Sequence, residues 1–394
     1  MDNFVFMLNF AANKAGNMTT TINPFIITGH IPEKYFCDRK VEAEQLQLAV
    51  TNQQNVVLSS PRRMGKTKLV DYVFSKPEIA DNHITISLDI LQTGTLNEFI
   101  FAFGNAVFNK VAKRSERMMK LFPMILKSLS ASFGYDPVSA SPTFDIKLGD
   151  ITRPEYTLEE IFTFLDKADR RCLVVIDEFQ QITNYPEKNV EALLRTHIQN
   201  CSNANFVFAG SQRRIMSEMF GSARRPFYNS ATPLDLGPIP LDKYTEFVQN
   251  NFKAAKKAIE EDAVALAYNT FHGVTLYNQQ AMNNAFALTP VGETCDVEAV
   301  NSIIESLLSQ NDKKERELLQ FLTEMHKAVL YAIFDEEPVK SVTSAGFTKK
   351  HRLKSPSSTQ AALKRLLELD IITKSDGLYS VADPMLDLWL KKNS

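Results

Sequence analysis

Between Asn55 and Val70 the chain reads NVVLSSPRRMGKTKLV: an apolar run, a turn, then the start of an amphipathic helix. No other stretch limits the fold as strongly. Asn55 to Ser59 predicts a buried strand that leaves its sheet at Pro61, and Leu69, Val70, Val73 and Phe74 recur at helical spacing until Pro77. A strand, a Gly-Lys-Thr turn and a helix in that order aim backbone N–H groups and a helix N-terminus at one point, which suits an anion. The usual phosphate-loop pattern is G-x-x-x-x-G-K-T/S; here Ser60 holds the first place, while Gly65, Lys66 and Thr67 keep the others. Serine gives up glycine's access to positive φ, so the loop needs Ser60 at negative φ. Pro61 biases Ser60 towards extended geometry, which is compatible with a strand end.

The expected nucleotide-binding loop therefore comprises Ser60, Pro61, Arg62, Arg63, Met64, Gly65, Lys66, Thr67 and Lys68. Gly65 lets the backbone approach the phosphates, Lys66 reaches the β and γ oxygens, and the Thr67 hydroxyl holds Mg2+. Arg62 and Arg63 either add positive charge or are simply exposed. A second motif, LVVIDE at Leu173 to Glu178, puts two carboxylates at the end of an entirely apolar strand. Asp177 suits Mg2+, bound through water, and Glu178 suits orientation of an attacking water. Their bland alternative is a helix N-terminus, which favours acidic side chains. Gly210-Ser211-Gln212 ends the next strand on the same edge, so Ser211 and Gln212 are candidates to sense the γ-phosphate or the water. The expected ligands are ATP or ADP with Mg2+, and the catalytic candidates are Lys66, Glu178, Ser211 and Gln212. Arg213, Arg214, Arg224 and Arg225 are candidates for an arginine supplied in cis or by a neighbour, or else partners of carboxylates on a solvated face.

Ile84 to Ile90, Leu173 to Ile176, Phe206 to Ala209 and Leu234 to Leu236 predict further strands, with helical patterns between most of them. This alternation predicts an α/β fold with a wound parallel sheet. Residues 133–150 read as an inserted hairpin, and Pro233, Pro238 and Pro240 mark a linker. The expected organisation is a tail over 1–22, a P-loop ATPase domain over 23–237, a helical lid over 238–312 and a winged helix over 313–394. In the last part, Leu318, Leu322, Met325, Val329 and Ile333 place one apolar stripe on one helix, followed by a short helix near Val342 to Lys350. Ser355 caps a third helix with Pro356 at its first position and Leu363, Leu366 and Leu367 facing inward. Ile371 to Ser375 and Leu378 to Val381 flank Asp376-Gly377, a strong hairpin signal.

Composition excludes broad classes. Hydrophobic residues at 44% and charged residues at 23% argue against disorder and coiled coil, and a formal charge of -2 exerts no global pull on nucleic acid or membrane. Cys37, Cys172, Cys201 and Cys295 lie far apart without a C-x-x-C pair, which predicts a reducing, cytoplasmic location and no structural zinc. No apolar run approaches membrane-spanning length, so no membrane partner is expected.

These motifs resemble the archaeal-type ATPases of the STAND branch of AAA+-like P-loop NTPases. The resemblance rests on NPFIITGHIPEKYFCDR, SPRRMGKT, LVVIDEFQ, FVFAGSQ and DGLYSVADPMLDLWL, in that order over nearly the whole chain. It implies a 5-1-4-3-2 sheet, a helical lid and a C-terminal winged helix, with Phe36, Asp38 and Arg39 near the adenine. It also implies an ATP-driven conformational switch, alone or with a homo-oligomeric or protein partner. The chain departs from the family at Gly273-Val274-Thr275, where Gly-x-Pro is common, and at Pro226 to Ser230, which replaces a Pro-Leu-Tyr-Gly-Arg type segment.

A winged helix after a P-loop core also resembles origin-recognition initiators, which raises an alternative: an ATP-bound DNA-binding protein with little hydrolysis. Ser357, Thr359, Gln360, Lys364 and Arg365 form the expected exposed face of the third helix. From Arg316 to Ser394, however, twelve Lys and Arg stand against ten Asp and Glu, far from a strongly basic balance. Lys110, Lys113, Arg114, Arg117 and Lys120 fall at helical spacing, as a solvated face or a phosphate track.

Overall fold

The computed structural model describes residues 22–29, 31–136, 141–144, 148–375 and 377–393, with side chains of 130–147 excluded. The expected tail over 1–22 lies, but for Ile22, outside the described residues, as do parts of the insertion, Asp376 and Ser394. Two compact units divide the chain, His30–Gly237 and residues 22–29 with Pro238–Ser394.

Five parallel strands form the first unit's sheet: β1 (Val56–Ser59), β2 (His83–Asp89), β3 (Arg171–Asp177), β4 (Ala204–Gly210) and β5 (Thr232–Asp235). Their order is β2-β3-β4-β1-β5, the 5-1-4-3-2 arrangement. The three inner strands are buried along nearly their whole length because helices cover both faces. Alternate residues serve opposite faces. Val57, Val174, Ile176, Phe206 and Phe208 pack with α3 (Leu96–Lys110), α4 (Pro154–Asp166), α5 (Val190–Asn200) and α6 (Arg213–Gly221). Val56, Leu58, Leu173, Val175 and Val207 pack on the other side with α1 (Lys40–Thr51) and α2 (Lys66–Ser75). The insertion is an antiparallel hairpin that pairs Phe133–Asp136 with Ser141–Phe144.

The proposed basic stripe does not lie on one helix. Lys110 ends α3, Lys113 and Arg114 sit in a separate 3-10 turn, and Arg117 and Lys120 belong to the helix Glu116–Ile125. Arg117 pairs with Asp169, and Lys120 pairs with Glu116 at 2.6 Å.

The second unit begins with α7 (Leu241–Ala254), α8 (Glu261–Thr270), α9 (Thr275–Leu288) and α10 (Val297–Gln320). Residues 22–29 join this unit, which moves the expected domain start at residue 23. Phe25 is fully buried against Phe247, Phe252 and Phe286, at ring separations of 5.9, 5.8 and 5.9 Å. Asn23 donates its amide to the Asn283 carbonyl, and Asn283 donates to the Phe25 carbonyl, at 2.9 and 2.8 Å.

The single helix expected from Leu318 to Ile333 is instead two. Leu318 belongs to α10, which runs across the expected boundary at 312/313, and α11 (Glu324–Glu336) starts afresh after Thr323. The Thr323 hydroxyl caps α11 by accepting the His326 N–H at 3.3 Å, and apolar spacing alone does not reveal such a break. α12 (Ala345–Lys350) and α13 (Pro356–Glu368) follow, with Ser355 capping α13 and Pro356 in its first turn. β6 (Ile372–Ser375) and β7 (Leu378–Val381) pair antiparallel, Gly377 takes φ 82° in the turn, and α14 (Pro384–Asn393) closes the chain. Thr359 corrects the expected exposed face of α13: it is fully buried, its hydroxyl donating to the Ser355 carbonyl at 2.8 Å. No helix among the described residues is long and apolar enough to cross a membrane.

Candidate functional site

Ser59 leads into the loop at the carboxyl edge of the sheet. The Ser60 N–H continues the ladder to the Gly210 carbonyl at 3.2 Å, and Ser60 is fully buried outside the left-handed region. The turn is carried instead by Arg63 at φ 67° and Gly65 at φ 90°, so serine in first place costs the loop nothing in backbone geometry. Gly65 is the N-cap of α2, no side chain caps that helix, and a β-carbon built on Gly65 meets nothing within 4 Å. The first intrahelical bond runs from the Leu69 N–H to the Gly65 carbonyl at 2.9 Å. An uncapped helix start behind a glycine turn fits a phosphate chain.

Arg39 fixes this loop from behind. It is 5% exposed, and its guanidinium donates to the Met64 carbonyl at 3.4 Å, the Gly237 carbonyl at 2.7 Å and Glu42 at 2.8 Å. Arg39 therefore clamps the loop backbone, a tie between distant segments that no local pattern announces. Arg39→Ala is expected to cost about 2–3 kcal/mol of stability, seen as a lower melting temperature, and to weaken nucleotide binding by loosening the loop. Phe36 stacks on Tyr72 with ring centres 4.1 Å apart, which holds it over α2. Met64 is buried at 3% exposure, Pro61, Arg62 and Arg63 are exposed, and Lys68 pairs with Asp71 at 3.7 Å.

The two motifs converge. The Thr67 hydroxyl donates to Asp177 Oδ2 at 3.1 Å, and Lys66 Nζ lies 3.8 Å from Glu178 Oε1. Lys66 is 7% exposed, so this pair is poorly screened by water. Glu178 takes a left-handed backbone, φ 55°, which turns its side chain back over the strand end. Its Oε2 accepts from Ser211 Oγ and from Gln180 Nε2, both at 2.6 Å. Ser211 thus reaches the site as expected, whereas the Gln212 side chain meets neither carboxylate and stands at the N-cap of α6. Gln180 carried no expectation, although it closes LVVIDEFQ. It is 3% exposed, and Gly210 makes room for it: an added β-carbon there would fall 2.5 Å from Gln180 Oε1.

Burial pushes the Asp177 carboxyl above its ordinary pKa, opposed chiefly by the positive charge of Lys66. The folded chain therefore holds this proton more tightly than the unfolded one, a stabilisation present in acid and lost as pH rises through the folded pKa. The same proton opposes a bound cation. If a cation binds beside Asp177, nucleotide affinity measured with Mg2+ is expected to fall as pH falls, and Asp177→Asn to remove that pH dependence, as titrations with and without the cation would read.

Of the candidate arginines, Arg225 is engaged by Glu191 at 2.5 Å and Glu218 at 3.8 Å, while Arg213, Arg214 and Arg224 are exposed. Phe227, in the segment Pro226 to Ser230, is fully buried against Phe179 and Phe208.

Among solved structures, the chain is similar to the Walker-type ATPase PABY2304 of Pyrococcus abyssi. The two are 17% identical, with 93% of this chain and 99% of that chain covered at a TM-score of 0.63. It is also similar to the ORC2 protein of Aeropyrum pernix in its ADPNP–ADP complexes, 14% identical, with 94% and 96% covered at a TM-score of 0.56. The family described as "Probable winged helix domain" matches residues 315–392. The chain has a P-loop ATPase fold followed by a winged helix. No curated protein matches it significantly.

Proposed function

We propose that the chain binds ATP with Mg2+ and hydrolyses it slowly, as a nucleotide-controlled conformational switch of the STAND type in the cytoplasm. The observation that carries this is the convergence of Lys66 and Thr67 with Asp177 and Glu178 at one edge of the sheet. The loop from Ser60 to Lys68 would wrap the phosphates with backbone N–H groups, and Lys66 would bind their outer oxygens. Thr67 and, through water, Asp177 would hold Mg2+, which when bound would supply charge neutralisation for the phosphates. Glu178 would orient the attacking water, and Ser211 and Gln180 set where its carboxylate rests. A phosphate group competing for Lys66 would loosen the Lys66–Glu178 pair, giving nucleotide a direct hold on the carboxylate proposed to orient the water. Phe36, Asp38 and Arg39 precede α1, and Phe36 offers the adenine an aromatic neighbour. The motif order quoted above and four buried free thiols support the STAND assignment and the cytoplasmic location respectively. The deciding experiment is phosphate release from ATP by the full chain. Slow release that stops when Mg2+ is chelated supports the proposal, and release indifferent to chelation or to Glu178→Gln overturns it.

The DNA alternative draws less support from α13. Ser357, Gln360, Lys364 and Arg365 are exposed, but Lys364 and Arg365 both pair with Glu368, at 3.9 and 3.2 Å, and Thr359 is buried. Duplex DNA is expected to show no salt-sensitive retention by the chain, and Lys364→Ala with Arg365→Ala to change nothing in a low-salt mobility assay.

A further inference from the structure

Glu178 follows β3, and the 3-10 turn Phe179–Asn184 comes directly after it. Gln180 lies in that turn, where the Thr183 hydroxyl holds the backbone by donating to the Gln180 carbonyl at 2.8 Å. The Gln180 side chain is 3% exposed, and its two polar atoms fare differently. Nε2 donates to Glu178 Oε2 at 2.6 Å, whereas Oε1 is buried with no hydrogen-bond partner. Burying a carbonyl oxygen without a partner destabilises a fold. Methionine, of nearly the same length, would fill the place with no such oxygen, so packing does not call for glutamine here. Turning the amide over would set its oxygen against the carboxylate. What glutamine supplies is a donor aimed at Glu178.

Glu178 Oε2 takes a second hydrogen bond, from Ser211 Oγ at 2.6 Å, while Oε1 lies 3.8 Å from Lys66 Nζ. One carboxylate oxygen is thus held by two donors, and the other faces the phosphate-loop lysine. The two holders are not equivalent. Ser211 has a single hydroxyl proton, for which a γ-phosphate oxygen would compete, whereas the Gln180 amide sits against Gly210, away from solvent. We propose that Gln180 is a positioning residue for ATP hydrolysis: its amide keeps Glu178 Oε2 fixed once nucleotide is bound, so that Oε1 is turned to the attacking water. This role rests on Glu178 orienting the water, as proposed above. Without the amide the carboxylate can rotate about its Cγ–Cδ bond, and a small misplacement of a group at the reacting centre costs a large factor in rate. Gly210 reaches the same amide from another strand. A β-carbon there would fall 2.5 Å from Gln180 Oε1 and 2.6 Å from the Met216 side chain, so Gly210→Ala displaces the amide while leaving Glu178 and Gln180 in the sequence.

The test is single-turnover phosphate release from ATP and Mg2+ by the full chain, beside a fluorescent-nucleotide titration. The variants are Gln180→Met, Gly210→Ala, Glu178→Gln, and Glu178→Gln combined with Gln180→Met. Gln180→Met and Gly210→Ala are each expected to release phosphate about tenfold or more slowly, with ATP affinity within about twofold of wild type. Because Gln180 acts through Glu178, adding Gln180→Met to Glu178→Gln should slow release no further. Gln180→Met should also melt within about 3 °C of wild type, since loss of the unpaired oxygen offsets loss of the hydrogen bond.

A Gln180→Met chain as fast as wild type, or one that loses the same factor with and without the Glu178 carboxylate, overturns the proposal. Slower release accompanied by weaker ATP binding and a lower melting temperature marks a structural role and overturns it too. Wild-type release by Glu178→Gln overturns the role of Glu178 itself, and with it this one; a slow Glu178→Gln beside a fast Gln180→Met overturns the role of Gln180 alone. Should Gln180→Met fail to fold, Gln180→Leu takes its place in the same comparison.

Discussion

Lys66→Ala is expected to reduce ATP affinity about a hundredfold or more while leaving the chain folded. Removing one partner of a desolvated charge-assisted contact costs about 2–5 kcal/mol, and Lys66, at 7% exposure, would meet the phosphates in such a place. The fold should survive, because Glu178 keeps its hydrogen bonds from Ser211 and Gln180 when Lys66 is gone. A further effect runs in the same direction: without the lysine charge the buried Asp177 carboxyl rises further and holds a cation less well. Fluorescent-nucleotide titration measures the loss, and thermal unfolding measures the fold. An affinity equal to wild type would remove the lysine from the site.

Glu178→Gln should separate binding from turnover. The glutamine amide oxygen can still accept from Ser211 and Gln180, so the local arrangement holds and nucleotide affinity should change little. It cannot act as an anionic acceptor for the water, and turnover should fall about a hundredfold or more. Single-turnover phosphate release in parallel with a binding titration distinguishes the two. A variant that binds poorly but turns over bound ATP normally would reverse the roles assigned to Lys66 and Glu178.

Much of the first unit was legible because buried parallel strands announce themselves as unbroken apolar runs, LVVI in β3 stopping at Asp177-Glu178 and FVFA in β4 stopping at Gly210-Ser211. The edge that carries the candidate site follows from the same fact: Asp177, Glu178 and Ser211 stand where those runs stop. Long-range ties leave no such trace. Arg39 reaches Met64 and Gly237 across the chain, and its neighbourhood in sequence says nothing of either carbonyl. Gln180 was hidden because its burial depends on Gly210, on another strand. In the second unit, apolar spacing ran straight through Phe321 to Thr323, where the helix breaks, since the stripe at Leu318, Leu322 and Val329 fits one long helix as well as two short ones. Thr359 read as a surface polar residue because its hydroxyl satisfies itself on the Ser355 carbonyl, which permits burial.

The most direct measurement is equilibrium binding of ATP to the wild-type full chain by calorimetry, with Mg2+ and then with a chelator. The account predicts one saturable site per chain whose affinity falls when Mg2+ is withdrawn. Absence of any saturable heat under both conditions, from a chain shown to be folded, would contradict it.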